Sequence, residues 1–184
     1  LCKVVRECSF VNGIKVQGLF SDSIDKIPNE LKMLPIVTDD FDKFLQEVDA
    51  VYVRSFPTKH FEHTRQALLK GKHVLCESPI SLNMKQTEEL FSLAREKKLV
   101  LMEAIKTAYA TAFSRLILLI KGGKIGDIVS IDATCTSLNK TDWHGICEWA
   151  PTALLPIFEL LGTNFEKKII THLDENGVDL FTKI

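Results

Sequence analysis

Two kinds of hydrophobic pattern alternate in the middle of this 184-residue chain. Short runs rich in β-branched residues at Ala50–Val53 and His73–Cys76 have the length and composition of buried strands, and residues 60–70 between them have helical spacing. A strand, a helix and a strand in this order predict parallel neighbours, because parallel strands need a crossover connection. The pattern therefore predicts an α/β fold with a doubly wound parallel sheet.

The same criteria assign the rest of the chain. Further strands are predicted at 14–20, 36–37, 99–102 and 128–134, and a hairpin at 169–172 and 178–181. Helices are predicted at 39–46, 81–98, 110–121 and 148–161, with residues 1–10 as the tail of another. These elements predict a doubly wound domain over residues 1–105 and part of an α+β domain over residues 106–184.

Composition narrows the classes of partner. The hydrophobic fraction of 46% supports a proper core, and a net charge of −1 argues against a general polyanion binder, so no nucleic acid is expected. No apolar run approaches the ~18 residues that span a bilayer, so no membrane is expected either. The five cysteines include no CxxC pair, which favours reduced thiols in a cytoplasmic protein over disulfides or a metal site.

Polar residues follow the two central strands at the points where they end. Ser55 comes just after the first of them, and Glu77-Ser78-Pro79 comes directly after the second. Ligands of doubly wound sheets bind at the carboxyl ends of the strands, so a crevice for a nucleotide-type ligand is expected at these residues. Glu77 is the most informative of them, because a charge at the end of a buried strand is costly unless it is hydrogen-bonded or functional.

The blocks VDAVYVRSFPTKH and GKHVLCESP resemble the Gfo/Idh/MocA family of NAD(P)-dependent oxidoreductases, which reads VDAVYIATPNSLH and GKHVLCEKP in the same register. The resemblance continues through residues 101–107 and 124–128. It implies a Rossmann-like dinucleotide-binding domain, NAD or NADP as cofactor, and a sugar-like or polyol hydroxyl compound as the small-molecule substrate. It also implies a homo-oligomer that pairs through the second domain.

One departure from the family pattern affects the expected chemistry. The family's catalytic lysine of the EKP motif is Ser78 here, and a serine has no positive charge to stabilise an alkoxide. Lys106 is the nearest ammonium that could replace it, with Tyr109 as a weaker candidate, and the alternative is that Lys106 is a solvated surface residue. Two functions therefore stay open: an oxidoreductase, impaired or with its proton donor elsewhere, or a catalytically degenerate homologue that serves as a binding or regulatory module.

The resemblance also assigns residues to the cofactor. Ser21 stands at the position of the family's acidic residue for the adenosine ribose, and Asp22 follows it as either a ribose ligand or a turn residue. Ser55 and Glu77 are placed on the nicotinamide side, and His60 is either close to the cofactor or a helix-capping residue. His63 and His73 have no such support and are interpreted as structural or surface residues.

The substrate side is assigned in the same way. Glu148 stands where the family usually has the Asp of its D-x-G-x-H pattern, and Thr152 takes the place of the His. The first change keeps a carboxylate, whereas the second loses an imidazole that would assist proton transfer. Trp143, His144 and Trp149 either line the same cleft or pack in a core.

A glycine-rich turn is expected in a dinucleotide-binding domain, where its amides hold the pyrophosphate, and this chain contains no G-x-G-x-x-G. The predicted domain therefore lacks its first strand, which leaves a central position of the sheet unpaired, and a longer protein is expected. We predict that the 184 residues alone bind NAD(P) weakly or not at all.

Overall fold

The computed structural model describes residues 1–135, 146–175 and 178–184. Its strands are β1 (Gly18–Phe20), β2 (Ile36–Thr38), β3 (Ala50–Val53), β4 (His73–Cys76), β5 (Leu101–Glu103), β6 (Thr171–Glu175) and β7 (Val178–Lys183). Its α-helices are α1 (Cys2–Cys8), α2 (Asn29–Lys32), α3 (Phe41–Gln46), α4 (Pro57–Leu69), α5 (Met84–Glu96), α6 (Thr111–Lys121) and α7 (Ile146–Leu161), and single 3-10 turns lie at Ile24–Lys26 and Lys106–Tyr109. Strands and helices alternate through β5, which confirms the α/β class.

The strands form three small sheets. β1 pairs with β2, and β3, β4 and β5 pair in that order, all of them parallel. β6 and β7 form the predicted antiparallel hairpin. Among the described residues, β1 pairs only with β2 and β3 only with β4, so the parallel strands are divided into a pair and a set of three.

Helix starts follow local chemistry more closely than hydrophobic spacing does. α4 begins at Pro57 rather than at the predicted residue 60, because a proline at the first helical position already has the required φ. Of the two candidate N-cap residues, Asp39 and Asp40, the second caps α3, since the carboxylate of Asp40 accepts the backbone N–H of Lys43 at 2.9 Å. Asn83 caps α5 in the same way, which moves the start of that helix from 81 to Met84.

The core lies between the β3–β4–β5 sheet and the helices α4 and α5. Its fully buried members include Leu45, Leu68, Cys76 and Leu90. α4 and α5 also pack against each other, so one face of each helix is removed from water. Phe20, the last residue of β1, packs against both α3 and α4. Its ring centroid lies 4.7 Å from that of Phe41 on α3 and 5.7 Å from that of His63 on α4.

The burial of Cys76 predicts an unreactive thiol. Its side chain is 0% exposed, and burial raises the pKa of the thiol to about 12, so almost no thiolate is available to attack a reagent. We expect a thiol reagent to modify the half-buried Cys2 and Cys8 in the native protein and to modify Cys76 only after unfolding in urea. Peptide mass spectrometry checks this result, and equal labelling of Cys76 and Cys2 under native conditions would contradict it.

Close contact between β1 and β2 predicts a cost for any side chain at Gly18. A Cβ there would lie 2.6 Å from the carbonyl oxygen of Ile36 and 2.7 Å from its Cβ. Gly18→Ala is therefore expected to lower the free energy of unfolding by about 1–3 kcal/mol, because the two backbones must separate. Gly122→Ala is the matched control, with its nearest contact at 3.1 Å. Urea denaturation of both variants measures the difference, and equal midpoints would show that β1 and β2 are not this close.

One predicted strand is wrong, and two are shorter than predicted. Residues 128–134 have no regular structure, and Val129 is 97% exposed. A strand needs a neighbour for its backbone groups, and none of the described residues pairs with this segment. For the same reason the predicted strand at 14–20 is ordered as a strand only at Gly18–Phe20, where Ile36–Thr38 lies beside it. The strand predicted at 99–102 is Leu101–Glu103.

Candidate functional site

The carboxyl ends of β3, β4 and β5 meet at one edge, since the three strands are parallel and in register. Ser55 follows β3, Glu77 and Ser78 follow β4, and the 3-10 turn that carries Lys106 follows β5. The structure therefore brings together four of the predicted site residues at the edge where ligands of such sheets bind.

Glu77 is the centre of a group of three polar side chains. Its Oε1 accepts a hydrogen bond from the Tyr52 hydroxyl and lies 3.3 Å from Nζ of Lys106. The side chain of Glu77 is 19% exposed and that of Lys106 is 77% exposed, so the carboxylate is largely enclosed while the ammonium reaches solvent. Burial, and then the bond to Glu77, raise the pKa of Tyr52, which keeps the phenol protonated as a hydrogen-bond donor.

Ser78 is held by a second carboxylate. Its hydroxyl donates to Oε1 of Glu103 at 2.7 Å, and the same oxygen accepts the backbone N–H of Ile80 at 3.2 Å. The Ser78–Pro79 peptide bond is cis. Tyr109 donates from its hydroxyl to the backbone carbonyl of Glu103 at 3.1 Å, so the weaker of the two predicted proton donors is also fixed at the end of β5.

His60 lies behind this edge. Its ring is 1% exposed, with Nδ1 2.7 Å from the carbonyl oxygen of Pro79 and Nε2 2.9 Å from that of Ser55. The ring thus links the segments that follow β3 and β4. Both nitrogens face the backbone, so any contact of His60 with a cofactor stays a prediction, and the described contacts are those of a residue that positions the two loops.

His63, which was interpreted from the sequence as a structural or surface residue, is half-buried against two aromatic rings. Its Nδ1 is 3.0 Å from the Ser55 hydroxyl, and the rings of Phe20 and Phe41 lie 5.7 and 5.0 Å from its own. Burial lowers the pKa of His63, and the nearby negative charge of Asp22 opposes that shift. The ring is therefore a half-buried imidazole between the carboxyl ends of β1 and β3.

Ser21 and Asp22 follow the end of β1. The Ser21 hydroxyl accepts the backbone N–H of Ser23 at 3.2 Å, which leaves its own proton available to donate. Asp22 is exposed and close enough to His63 to act on its charge. The two alternatives for Asp22, a ribose ligand and a turn residue, both remain compatible with this position.

The substrate-side residues are only partly described. Thr152 is half-buried on α7, which packs against the 3-10 turn Lys106–Tyr109. The backbone of Glu148 belongs to α7, but its side chain and that of Trp149 lie outside the described part of the molecule, as do Trp143 and His144 entirely. Whether these groups join Lys106 stays a prediction.

Sequence reasoning did not single out Tyr52 and Glu103, which bond to the predicted residues Glu77 and Ser78. Strand alternation contained a signal for Tyr52, whose neighbours Val51 and Val53 are the buried positions of β3. Glu103 directly follows the strand predicted at 99–102, at the ligand-binding edge, and the same argument singled out Glu77. His63 had no signal of this kind, because its neighbours come from β1, α3 and the β3–α4 loop.

Two kinds of feature are absent from the described residues. No group of three or more His, Cys, Asp or Glu side chains there is arranged to hold a metal ion. Within the same residues no helix has both the length and the apolar character needed to cross a membrane.

Comparison with known proteins identifies the fold at this edge. Residues 10–105, more than half of the chain, match the oxidoreductase family GFO_IDH_MocA with its NAD-binding Rossmann fold. The chain belongs to this family. The predicted Gfo/Idh/MocA resemblance and the predicted Rossmann-like, NAD(P)-binding class are thereby confirmed.

Several members of the family are similar to this chain. Over 68 residues it is 46% identical to scyllo-inositol 2-dehydrogenase (NADP(+)) IolU of Bacillus subtilis (strain 168). This aligned segment is 37% of this chain and 21% of that protein. Over 81 residues it is 41% identical to D-xylose 1-dehydrogenase (NADP(+)) of Hypocrea jecorina, which covers 44% of this chain and again 21% of that protein. The matched part thus spans about a fifth of the length of these curated relatives.

Solved structures extend the likeness beyond residue 105. One of them is KijD10, a 3-ketoreductase from Actinomadura kijaniata, whose Y186F mutant was solved in complex with TDP-benzene and NADP. It superposes on this chain with a TM-score of 0.61 at 28% sequence identity. The superposition covers 67% of this chain and 39% of KijD10. An oxidoreductase from Bacillus cereus superposes with a TM-score of 0.69 over 93% of this chain and 53% of that one. At 23% identity, the second likeness shows the fold alone.

Proposed function

We propose that this family member is an NAD(P)-dependent oxidoreductase of a sugar-like or polyol hydroxyl compound, and that the carboxyl edge of β3–β4–β5 is the reacting end of its site. Relatives named as inositol and xylose dehydrogenases support the substrate class. The carrying observation is the 3.3 Å contact between Lys106 Nζ and Glu77 Oε1, which holds an exposed ammonium against the residue that precedes the serine at the family's lysine position.

The residues at the strand ends fit a dinucleotide. Ser21 and Asp22 would hold the adenosine ribose, and Ser55 and Glu77 would face the nicotinamide ribose, with His60 positioning the loop of Ser55 from behind. When bound, NAD(P) supplies the hydride acceptor for oxidation of the hydroxyl-bearing carbon. The chain's own residues then have to bind that hydroxyl, orient it and stabilise the charge that develops on its oxygen.

Lys106 is suited to that charge. Glu77 anchors its ammonium by an ion pair, while the exposure of the side chain leaves the other N–H bonds free to reach a substrate oxygen. An ammonium aimed at a developing alkoxide stabilises it far more than a hydroxyl does. The Tyr52 phenol donates to the same carboxylate and so fixes the position of Glu77.

Ser78 acts differently from the family lysine in this proposal. Its proton is directed to Glu103, so its oxygen is left as an acceptor that could orient the substrate hydroxyl. The resemblance assigns Glu148 and Thr152, which both belong to α7, to the substrate side of the site.

Assembly and location are part of the same proposal. Apolar side chains are exposed on α6, at the end of α7 and on the hairpin, among them Leu118 at 70%, Leu161 at 55% and Leu173 at 57%. An apolar surface of this kind favours a partner, so a cytoplasmic homo-oligomer that pairs through residues 106–184 is proposed.

The second candidate function is a degenerate binding or regulatory module. The bond between Ser78 and Glu103 favours it, because the residue at the family's lysine position is engaged with the protein rather than directed to a substrate. Assays of NAD(P) reduction with polyols and sugars, on the protein at its natural length, separate the two candidates. Turnover by the wild-type protein, with Ser78 unaltered, supports the oxidoreductase. Turnover by the Ser78→Lys variant alone, with an inactive wild type, would support the module.

A further inference from the structure

We propose that His63 is a specificity-determining residue at the adenosine end of the site: as the neutral imidazole it leaves the pocket to a ribose 2′-hydroxyl, and as the imidazolium it admits a 2′-phosphate. This inference rests on the proposed cofactor site and deepens it. It concerns the end of the cofactor away from the chemistry, between the carboxyl ends of β1 and β3.

Geometry places the ring at this end. In doubly wound sheets the residue after the second strand contacts the adenosine ribose, and in this chain Ser21 and Asp22 hold that position after β1. His63 packs on Phe20, the last residue of β1, with ring centroids 5.7 Å apart. Its Nδ1 lies 3.0 Å from the Ser55 hydroxyl oxygen, and its Nε2 has no hydrogen-bond partner among the described residues.

Few charges surround the ring. Phe20 of β1 and Phe41 of α3 bring none. Among the described residues, the groups that act on the charge of His63 are Asp22 after β1, and Lys59, His60 and Glu62 on its own helix. Lys59 and Glu62 neutralise each other in an ion pair at 3.2 Å, so Asp22 is the principal unpaired charge facing the pocket.

The combined charge of His63 and Asp22 then decides whether a ribose 2′-hydroxyl or a 2′-phosphate binds. With the imidazole neutral, the Asp22 carboxylate repels a 2′-phosphate and can accept hydrogen bonds from a 2′-hydroxyl. With the imidazolium present, the carboxylate is neutralised, and a phosphate gains a charge-assisted donor in addition to the Ser21 hydroxyl. Burial lowers the pKa of His63, so the neutral form prevails at neutral pH, and a bound 2′-phosphate favours the uptake of a proton.

Adenosine 2′-monophosphate and adenosine are the probes, because they carry this end of the cofactor without the nicotinamide. Ring signals of His63 in the protein at its natural length are followed by NMR while each probe is added at about pH 5.5 and about pH 8. We expect adenosine 2′-monophosphate to bind about tenfold more tightly at the lower pH and to raise the pKa of His63, whereas adenosine binding changes little. The phosphate group itself gains a proton near pH 6, and this loss of charge would weaken its binding. Protonation of the ligand therefore cannot cause the expected increase in affinity at the lower pH.

Two variants complete the test. In His63→Gln, adenosine 2′-monophosphate should no longer bind more tightly at the lower pH, while adenosine still binds. In Asp22→Asn the phosphate should bind more tightly at both pH values, and the pKa of His63 should fall. Equal pH dependence in wild type and His63→Gln, or no binding by the folded wild-type chain, would overturn the inference. Neither result bears on nicotinamide turnover, so the proposed function can fail or succeed separately.

Discussion

Lys106→Met is expected to lower kcat/KM for hydroxyl oxidation by about 10²–10³-fold, because one charged group that stabilises a developing oxyanion contributes about 2.7–4 kcal/mol to the barrier. The methionine keeps the length and much of the volume of the side chain but removes the ammonium that lies 3.3 Å from Glu77. Steady-state rates at the natural length of the protein measure the effect, and the loss should lie mainly in kcat.

Two further variants make this result specific. Lys106→Arg restores a positive charge and should recover part of the rate. Lys97→Met removes an exposed lysine that follows α5, at the end where the chain enters β5 and thus opposite the carboxyl edge, and should leave the rate unchanged. An unaltered kcat/KM in Lys106→Met would remove Lys106 from the reaction and would leave the degenerate module as the better account of this chain.

The largest expected loss of stability comes from Leu68→Ala. Leu68 is 0% exposed in the core formed by α4, α5 and the β3–β4–β5 sheet. Removing its side chain costs the transfer energy of three carbon atoms and leaves a cavity, so the free energy of unfolding should fall by about 2–5 kcal/mol. The next residue, Leu69, is 45% exposed and serves as the matched control.

Urea denaturation compares the two leucine variants. Leu69→Ala should shift the free energy of unfolding by no more than about 0.5 kcal/mol, as is usual for surface positions. Similar losses in both variants would mean that α4 does not bury the face described here. A change in the slope against urea, rather than in the midpoint, would indicate an altered denatured state instead of a cavity.

Much of the parallel fold could be predicted because each element carries its own local signal. β3 and β4 were predicted at their observed bounds, since runs such as Ala50–Val53 are bounded by turn residues and buried on alternate positions. The false strand at 128–134 shows the limit of such reasoning. Its sequence has strand character, but a strand exists only where a neighbour accepts and donates the backbone hydrogen bonds, and a pattern along the chain does not reveal the neighbour.

The candidate site shows the same limit at the level of side chains. Ser55, Glu77 and Ser78 were predictable because strand ends define the ligand edge. The partners of those residues were not, since Tyr52 meets Glu77 across 25 positions and Glu103 meets Ser78 across 25 as well. The neighbours of His63 could not be predicted either, because its contacts with Phe20 and Phe41 depend on how α4 packs.

The most direct test of the central claim is the rate of NAD(P) reduction by a panel of polyols and sugars, measured on the protein at its natural length with Ser78 unaltered. An oxidoreductase with Lys106 at the reacting end predicts turnover with at least one compound of this class, and loss of that turnover in Lys106→Met. Tight binding of NAD(P) without reduction by any member of the panel would contradict the account and would identify the chain as part of a binding module.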